Sequence, residues 1–149
     1  MSVQATTFDW SGAPKPSGYG VLWKGLTDAL GRRPHTPGRL FDLGAGNGIN
    51  ARMLAERGYD VTGVEPSEQG VAVARRYAPM CTFHVGSGYD DLAAAYGQFP
   101  VVVCMEVIEH CYYPRKLAKS FYDLIEPGGF GIMSTPYHGY LKNLALALA

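Results

Sequence analysis

The 149-residue chain has no charge excess, since 13 basic side chains balance 13 acidic ones. Nucleic acids and anionic membranes are bound by a basic surplus, so this balance argues against either as a partner. The doublets Arg32–Arg33 and Arg75–Arg76 read as solvated faces. Cysteine is scarce: Cys81, Cys104 and Cys111 are odd in number and form no C-x-x-C pair. Buried, reduced thiols in a cytoplasmic protein fit this better than a disulfide framework. No apolar run approaches the ~18 residues that mark a membrane span. The N-terminus also lacks the basic, then apolar, then small-residue order of a secretory leader.

Apolar residues and tight turns are plentiful instead, with 47% hydrophobic residues, 19 glycines and 10 prolines. One domain of this length buries about 68–70% of its unfolded surface and needs neither disulfide nor structural metal. Residues 1–18 read as an irregular arm and residues 19–149 as the domain. Tyr19, Leu22, Trp23, Leu26 and Leu30 recur at helical spacing, which predicts a helix over Tyr19–Leu30. Trp10, Tyr19 and Trp23 are candidates to cover a ligand from this side or simply to staple the arm.

Beyond the Pro-rich turn that holds His35, strands and helices alternate. Strands are predicted at Arg39–Leu43, Asp60–Val64, Thr82–Val85, Val101–Met105 and Gly129–Ser134. The helices between them fall at Gly48–Arg57, Ser67–Tyr77, Asp90–Tyr96 and Pro114–Ile125, the last ended by Pro127-Gly128-Gly129. Short apolar strands suit a parallel sheet buried on both faces. Their alternation with helices implies right-handed βαβ units, hence an α/β, doubly wound sheet. His35 and His84 have no partner at diagnostic spacing.

Leu40-Phe41-Asp42-Leu43-Gly44-Ala45-Gly46-Asn47-Gly48 is a strand entering a glycine-dense turn that opens a helix. Glycine permits positive φ and close approach of a ligand to the backbone, and a helix N-terminus offers unpaired N–H groups. Val61-Thr62-Gly63-Val64-Glu65 then places an acid at the end of the next strand, ~20 residues after the first glycine. At that position a carboxylate accepts hydrogen bonds from ribose hydroxyls, so a nucleoside ligand is predicted over the first two strands. The spacing is G-x-G-x-G, with Ile49 where a dinucleotide fingerprint has its third glycine, which counts against a nicotinamide dehydrogenase.

These residues resemble motif I, Phe41 to Gly48, and the acidic second motif, Val64-Glu65-Pro66-Ser67, of class I S-adenosylmethionine-dependent methyltransferases. Phe99 to His110 is similar to the fourth-strand motif of the ubiquinone-biosynthesis O-methyltransferase branch, and Leu124 to Phe130 with Ser134-Thr135-Pro136 resembles its fifth-strand region. The resemblance covers roughly residues 39 to 140. It implies S-adenosylmethionine as cofactor, S-adenosylhomocysteine as product, and a small-molecule acceptor methylated on oxygen. It implies that Gly44, Ala45 and Gly46 face the methionine part of the cofactor and that Asp42 orients its amino group. Glu65, followed by Pro66, takes the ribose; Tyr89 or Asp90 recognises adenine, or that segment is a plain turn; Met105, Glu106 and Val107 floor the reactive methyl. The family commonly has Asp where Pro100 stands, a departure tolerable if the proline opens a strand. A binding domain without turnover, or an RNA methyltransferase, are the other readings.

Glu106, Glu109 and His110 follow the fourth strand at spacings that one helical turn gathers on one face. Glu109 and His110 are the candidate catalytic groups, with His110 as general base. The same three side chains allow a divalent cation, though packing is favoured over metal. His138 is a second histidine near the expected acceptor side. The resemblance implies a Rossmann-like sheet with the five strands in order 3-2-1-4-5; the family continues past the fifth strand with a further helix and two strands, so the apolar Leu141–Ala149 end reads as a truncation. The fifth strand is then expected to offer an open edge for a homodimer.

Overall fold

The computed structural model describes residues 20–33 and 35–136. The arm over 1–18, Trp10, Tyr19, His138 and the Leu141–Ala149 segment lie outside the described residues. Five parallel strands, β1 (Arg39–Leu43), β2 (Asp60–Glu65), β3 (Thr82–Val85), β4 (Phe99–Met105) and β5 (Ile125–Ser134), form one sheet of order β3-β2-β1-β4-β5. The helices are α1 (Gly20–Gly31), α2 (Ile49–Ala55), α3 (Glu68–Tyr77), α4 (Leu92–Tyr96) and α5 (Pro114–Asp123), with a single 3-10 turn at Ile108–His110.

Side-chain alternation along the central strands feeds two cores. Leu40, Val61, Val101 and Val103 point to one face, where Leu26 and Leu30 of α1, Leu54 of α2 and Val71 of α3 cover them. Phe41, Leu43, Val102 and Cys104 point to the other, where Leu92 of α4, Leu117 of α5 and Leu124 pack. Most of these residues are fully buried, at ~1.5–3 kcal/mol for each large side chain. Cys104 is buried, whereas Cys81 and Cys111 are half-buried, and all three are free thiols. Burial pushes the Cys81 thiol up to about 11.

Two expectations about the last strands need correction. Pro100 does not open β4; it is the second residue, after Phe99. The ladder with β1 begins at Val101, and the ladder with β5 shifts register between Phe99 and Val101, so both pass over the residue that has no N–H to give. The sequence opposite makes this fit: Ile125 already pairs with Phe99, then Glu126 to Gly129 bulge out before Phe130 pairs with Val101. A Cβ on Gly129 would stand 2.8 Å from the Pro100 carbonyl oxygen, so the bulge needs glycine there. Pro127-Gly128-Gly129 is therefore a bulge within β5, and α5 stops earlier, at Asp123.

The histidines also have partners that spacing alone did not reveal. The Arg33 carbonyl can only accept, so Nδ1–H of His35 donates to it at 2.8 Å and Nε2 receives the Tyr59 hydroxyl. The same ring meets Phe130 edge-on. His84 lies against Tyr96 with ring centroids 4.8 Å apart.

Candidate functional site

The glycine turn sits at the carboxyl ends of β1 and β2, where a parallel sheet leaves its crevice. Gly44, Gly46 and Gly48 all take left-handed backbone, with φ of 84°, 53° and 80°. The N–H groups of Gly44 and Ala45 both donate to the Val64 carbonyl, at 2.8 and 3.0 Å, which ties the turn to the end of β2. Close approach is needed on two sides. A Cβ on Gly44 would fall 2.5 Å from Cγ2 of Val107, and one on Gly63 would fall 2.8 Å from Cβ of Ala45. The helix that follows is shorter than expected, Ile49–Ala55, and Asn47 Oδ1 already accepts from its Ile49 N–H.

Beneath the turn lie two carboxylates, Asp42 at 1% exposure and Glu65 at 8%, the only buried charged side chains among the described residues. Glu65 is partly satisfied: Oε2 accepts from Gly46 N–H at 3.1 Å and Oε1 from Ser67 N–H at 3.0 Å. A carboxylate offers about four acceptor positions, so roughly two stay open on Glu65. Asp42 Oδ2 has no hydrogen-bond partner among the described residues. Burial, reinforced by the charge of Glu65, pushes Asp42 up to about 7. Burial raises Glu65 as well, while its two backbone N–H donors pull it back down. The backbone donors thus favour the charged form of Glu65, and Asp42, which lacks them, is the one held up to about 7.

An unsatisfied buried oxygen is costly unless something occupies its free lone pairs. A cationic amino group fits Asp42, and vicinal hydroxyls fit the open acceptor positions of Glu65. The amino-acid and ribose ends of S-adenosylmethionine carry those groups, and the glycine turn lies between the two acids in sequence. The residues present thus fit the cofactor that the motifs imply.

The remaining predicted residues divide. Met105 ends β4, Glu106 and Val107 follow it, and Val107 packs on Gly44, so this segment reaches the turn through Val107. Pro66 is exposed just beyond Glu65. Asp90 turns its carboxylate back on its own loop, where Oδ2 accepts from Ser87 N–H at 2.8 Å. The Tyr89 hydroxyl accepts from Tyr113 N–H at 3.2 Å, so this ring stitches the loop after β3 to the one after β4. Desolvation raises the Tyr89 phenol above its ordinary value.

The expected gathering of Glu106, Glu109 and His110 on one helical face does not occur. Glu106 stands outside the 3-10 turn with φ 55°, the one non-glycine residue in left-handed backbone among those described, so helical spacing does not apply to it. Its carboxylate receives Ser134 Oγ at 2.7 Å, whereas Glu109 faces His110 at 3.9 Å in a solvent-exposed pair. Among the described residues no three His, Cys, Asp or Glu side chains are arranged to hold a metal ion. Ser134 falls within the fifth-strand resemblance, but motif reading gives it no role; its bond to Glu106 has no local signal beyond a hydroxyl at the carboxyl end of a strand.

Comparison with known proteins agrees with this geometry. Residues 19–147 match the methyltransferase domain family Methyltransf_23. A ubiquinone biosynthesis O-methyltransferase from Caulobacter sp. (strain K31) is 36% identical over 124 residues, covering 80% of this chain and 49% of the relative. The corresponding enzyme from Pseudomonas aeruginosa is 34% identical over 103 residues, covering 65% and 44%. The chain thus spans about half the length of the curated relatives it matches. Among solved structures, a protein from Pyrococcus horikoshii superposes with a TM-score of 0.72 at 25% identity, over 89% of this chain and 59% of that one. The magnesium protoporphyrin IX methyltransferase of Synechocystis, with bound S-adenosylmethionine, shares the fold at a TM-score of 0.64 and 22% identity, over 73% and 55%. With its sheet order, its glycine turn and a match over most of its length, the chain belongs to this methyltransferase domain family.

Proposed function

We propose that the chain is the cofactor-binding domain of an S-adenosylmethionine-dependent methyltransferase acting on an oxygen of a small-molecule acceptor. The observation that carries this reading is the unpartnered, buried Asp42 oxygen beside Glu65 under a glycine turn. When bound, the cofactor supplies a sulfonium methyl that is already electrophilic. The protein is left with alignment and deprotonation of the acceptor. Asp42 and Glu65 hold the two ends, Gly44 to Gly46 admit the ligand, Met105, Glu106 and Val107 border its reactive part, and Tyr89 closes the adenine side. His110, exposed beside Glu109, is the candidate base. The acceptor class and the choice of oxygen rest on similarity to the ubiquinone-biosynthesis enzymes.

Titration calorimetry with S-adenosylhomocysteine, S-adenosylmethionine and NAD tests the reading. The two sulfur nucleosides are expected to bind and NAD to give no heat. Glu65→Ala is expected to weaken S-adenosylhomocysteine more than tenfold, because charge-assisted hydrogen bonds of ~1.5–3 kcal/mol are lost. Tight NAD binding would overturn the cofactor assignment, and an unchanged Glu65→Ala affinity would remove Glu65 from the ribose.

Self-association is a second proposal. β5 is an edge strand, with no neighbour beyond it among the described residues, and an open edge offers unpaired backbone groups to another copy. Sedimentation of this 149-residue chain is expected to show a dimer or larger species, and a concentration-independent monomer refutes it.

A further inference from the structure

The turn after β4 is held by one unusual contact. Glu106 takes φ 55°, a region that a residue with a Cβ enters only when its surroundings impose it. Ser134, at the end of β5, supplies what imposes it. Its hydroxyl donates to Glu106 Oε1 at 2.7 Å and accepts from Glu106 N–H at 3.1 Å, while its carbonyl oxygen receives the same N–H at 3.3 Å. One hydroxyl thus grips both the side chain and the backbone of the same residue. Met105 pairs with Ser134 in the β4–β5 register, so the grip sits on the last rung of that ladder.

The consequence appears one residue later. Val107 leaves this left-handed turn aimed at the glycine turn, so close that a Cβ on Gly44 would stand 2.5 Å from Cγ2 of Val107. Without the Ser134 hydroxyl, Glu106 keeps only the longer bond from its N–H and loses this donor to its carboxylate. Its backbone then relaxes toward the right-handed or extended region, and Val107 moves off Gly44. We infer that Ser134 is a positioning residue, which, through the left-handed backbone of Glu106, sets Val107 against Gly44 and so fixes the wall of the cofactor site. The inference rests on the proposed cofactor reading and adds to it a residue to which that reading gives no role.

Thr and Val differ at the branch by hydroxyl against methyl and both suit a strand, so the pair Ser134→Thr and Ser134→Val isolates the hydroxyl. S-adenosylhomocysteine affinity is measured by calorimetry for wild type and both variants, with melting temperature recorded alongside. Thr is expected to stay within twofold of wild type and Val to bind at least tenfold more weakly. Amide hydrogen exchange at Glu106 is expected to be protected in wild type and Thr and fast in Val. A purely structural role would lower the melting temperature of the Val variant and leave its affinity equal to that of Thr, which overturns the inference. Should wild type fail to bind S-adenosylhomocysteine, the cofactor reading falls; the Glu106 exchange result still reports whether Ser134 holds the turn.

Discussion

Asp42→Asn is expected to raise the stability of the ligand-free protein at pH 8, to weaken S-adenosylhomocysteine binding, and to abolish the pH dependence of that binding. The unfolded chain releases the Asp42 proton near its ordinary value of 3.8, whereas burial and Glu65 hold it in the folded chain to about 7. A folded-state pKa raised above the unfolded one gives stability that is fully present below 3.8, falls progressively as pH rises toward about 7, and is level above it. The difference of about three pKa units corresponds to at most about 4 kcal/mol lost above neutrality. Asparagine stays neutral throughout and escapes this loss. A melting-temperature series from pH 4 to pH 8.5 should therefore fall for wild type up to about pH 7, level off above it, and stay flatter throughout for Asp42→Asn.

Binding runs the opposite way. The cationic amino group requires ionised Asp42, so a proton must leave at pH 6 before the ligand enters, whereas at pH 8 it has already left. A single group titrating at about 7 makes wild-type affinity rise roughly tenfold between those values, with proton uptake by the buffer visible in calorimetry. In Asp42→Asn the affinity should be low and flat. Wild-type affinity that is level from pH 6 to pH 8 would show that Asp42 does not meet the amino group. The stability cost of this orphaned acid is then the trade-off expected at a binding site, where local energy is lost in the empty state and recovered on occupancy.

Much of this was legible in the sequence because its cause is local or periodic. β1 and β3 fall at their predicted residues: β1 is an apolar run between Gly38 and Gly44 that is buried from Leu40 onward, and β3 is a short β-branched and aromatic run closed by Gly86. Asp42, Gly44 and Glu65 are found together because β1 and β2 pair in register, Leu43 opposite Val64, which carries the turn after β1 to the acid at the end of β2. The errors have a common origin in residues whose conformation is set from outside their own segment. Pro127-Gly128-Gly129 reads as a helix stop, but Pro100 across the ladder turns it into a bulge inside β5. Glu106, Glu109 and His110 read as one helical face, but Ser134, distant in sequence, pulls Glu106 into left-handed backbone. Helical spacing carries no information about a partner on another strand.

Gly44→Ala tests the tightest of these long-range contacts and should be the most damaging single methyl in the site. Two costs are combined in it. At φ 84° an alanine is strained by ~1–2 kcal/mol, and its Cβ would overlap Cγ2 of Val107 at 2.5 Å, with Cγ1 at 3.1 Å. Val107 cannot swing aside freely, because the left-handed Glu106 before it is held to Ser134. Overpacking of this kind costs ~1–3 kcal/mol, so the variant should lose about 2–5 kcal/mol of stability. Its S-adenosylhomocysteine affinity should fall more than tenfold as the turn shifts. The two costs can be separated by a double-mutant cycle. Val107→Ala removes both Cγ atoms and leaves only Cβ, 3.4 Å away at ordinary contact, so Gly44→Ala placed on that background should keep the backbone strain and shed the overlap. Chemical denaturation of the four proteins is expected to show Gly44→Ala costing at least 1 kcal/mol less when Val107 is alanine. Strictly additive losses would mean that Val107 does not press on the glycine turn, and that Gly44 is required for its backbone angle alone.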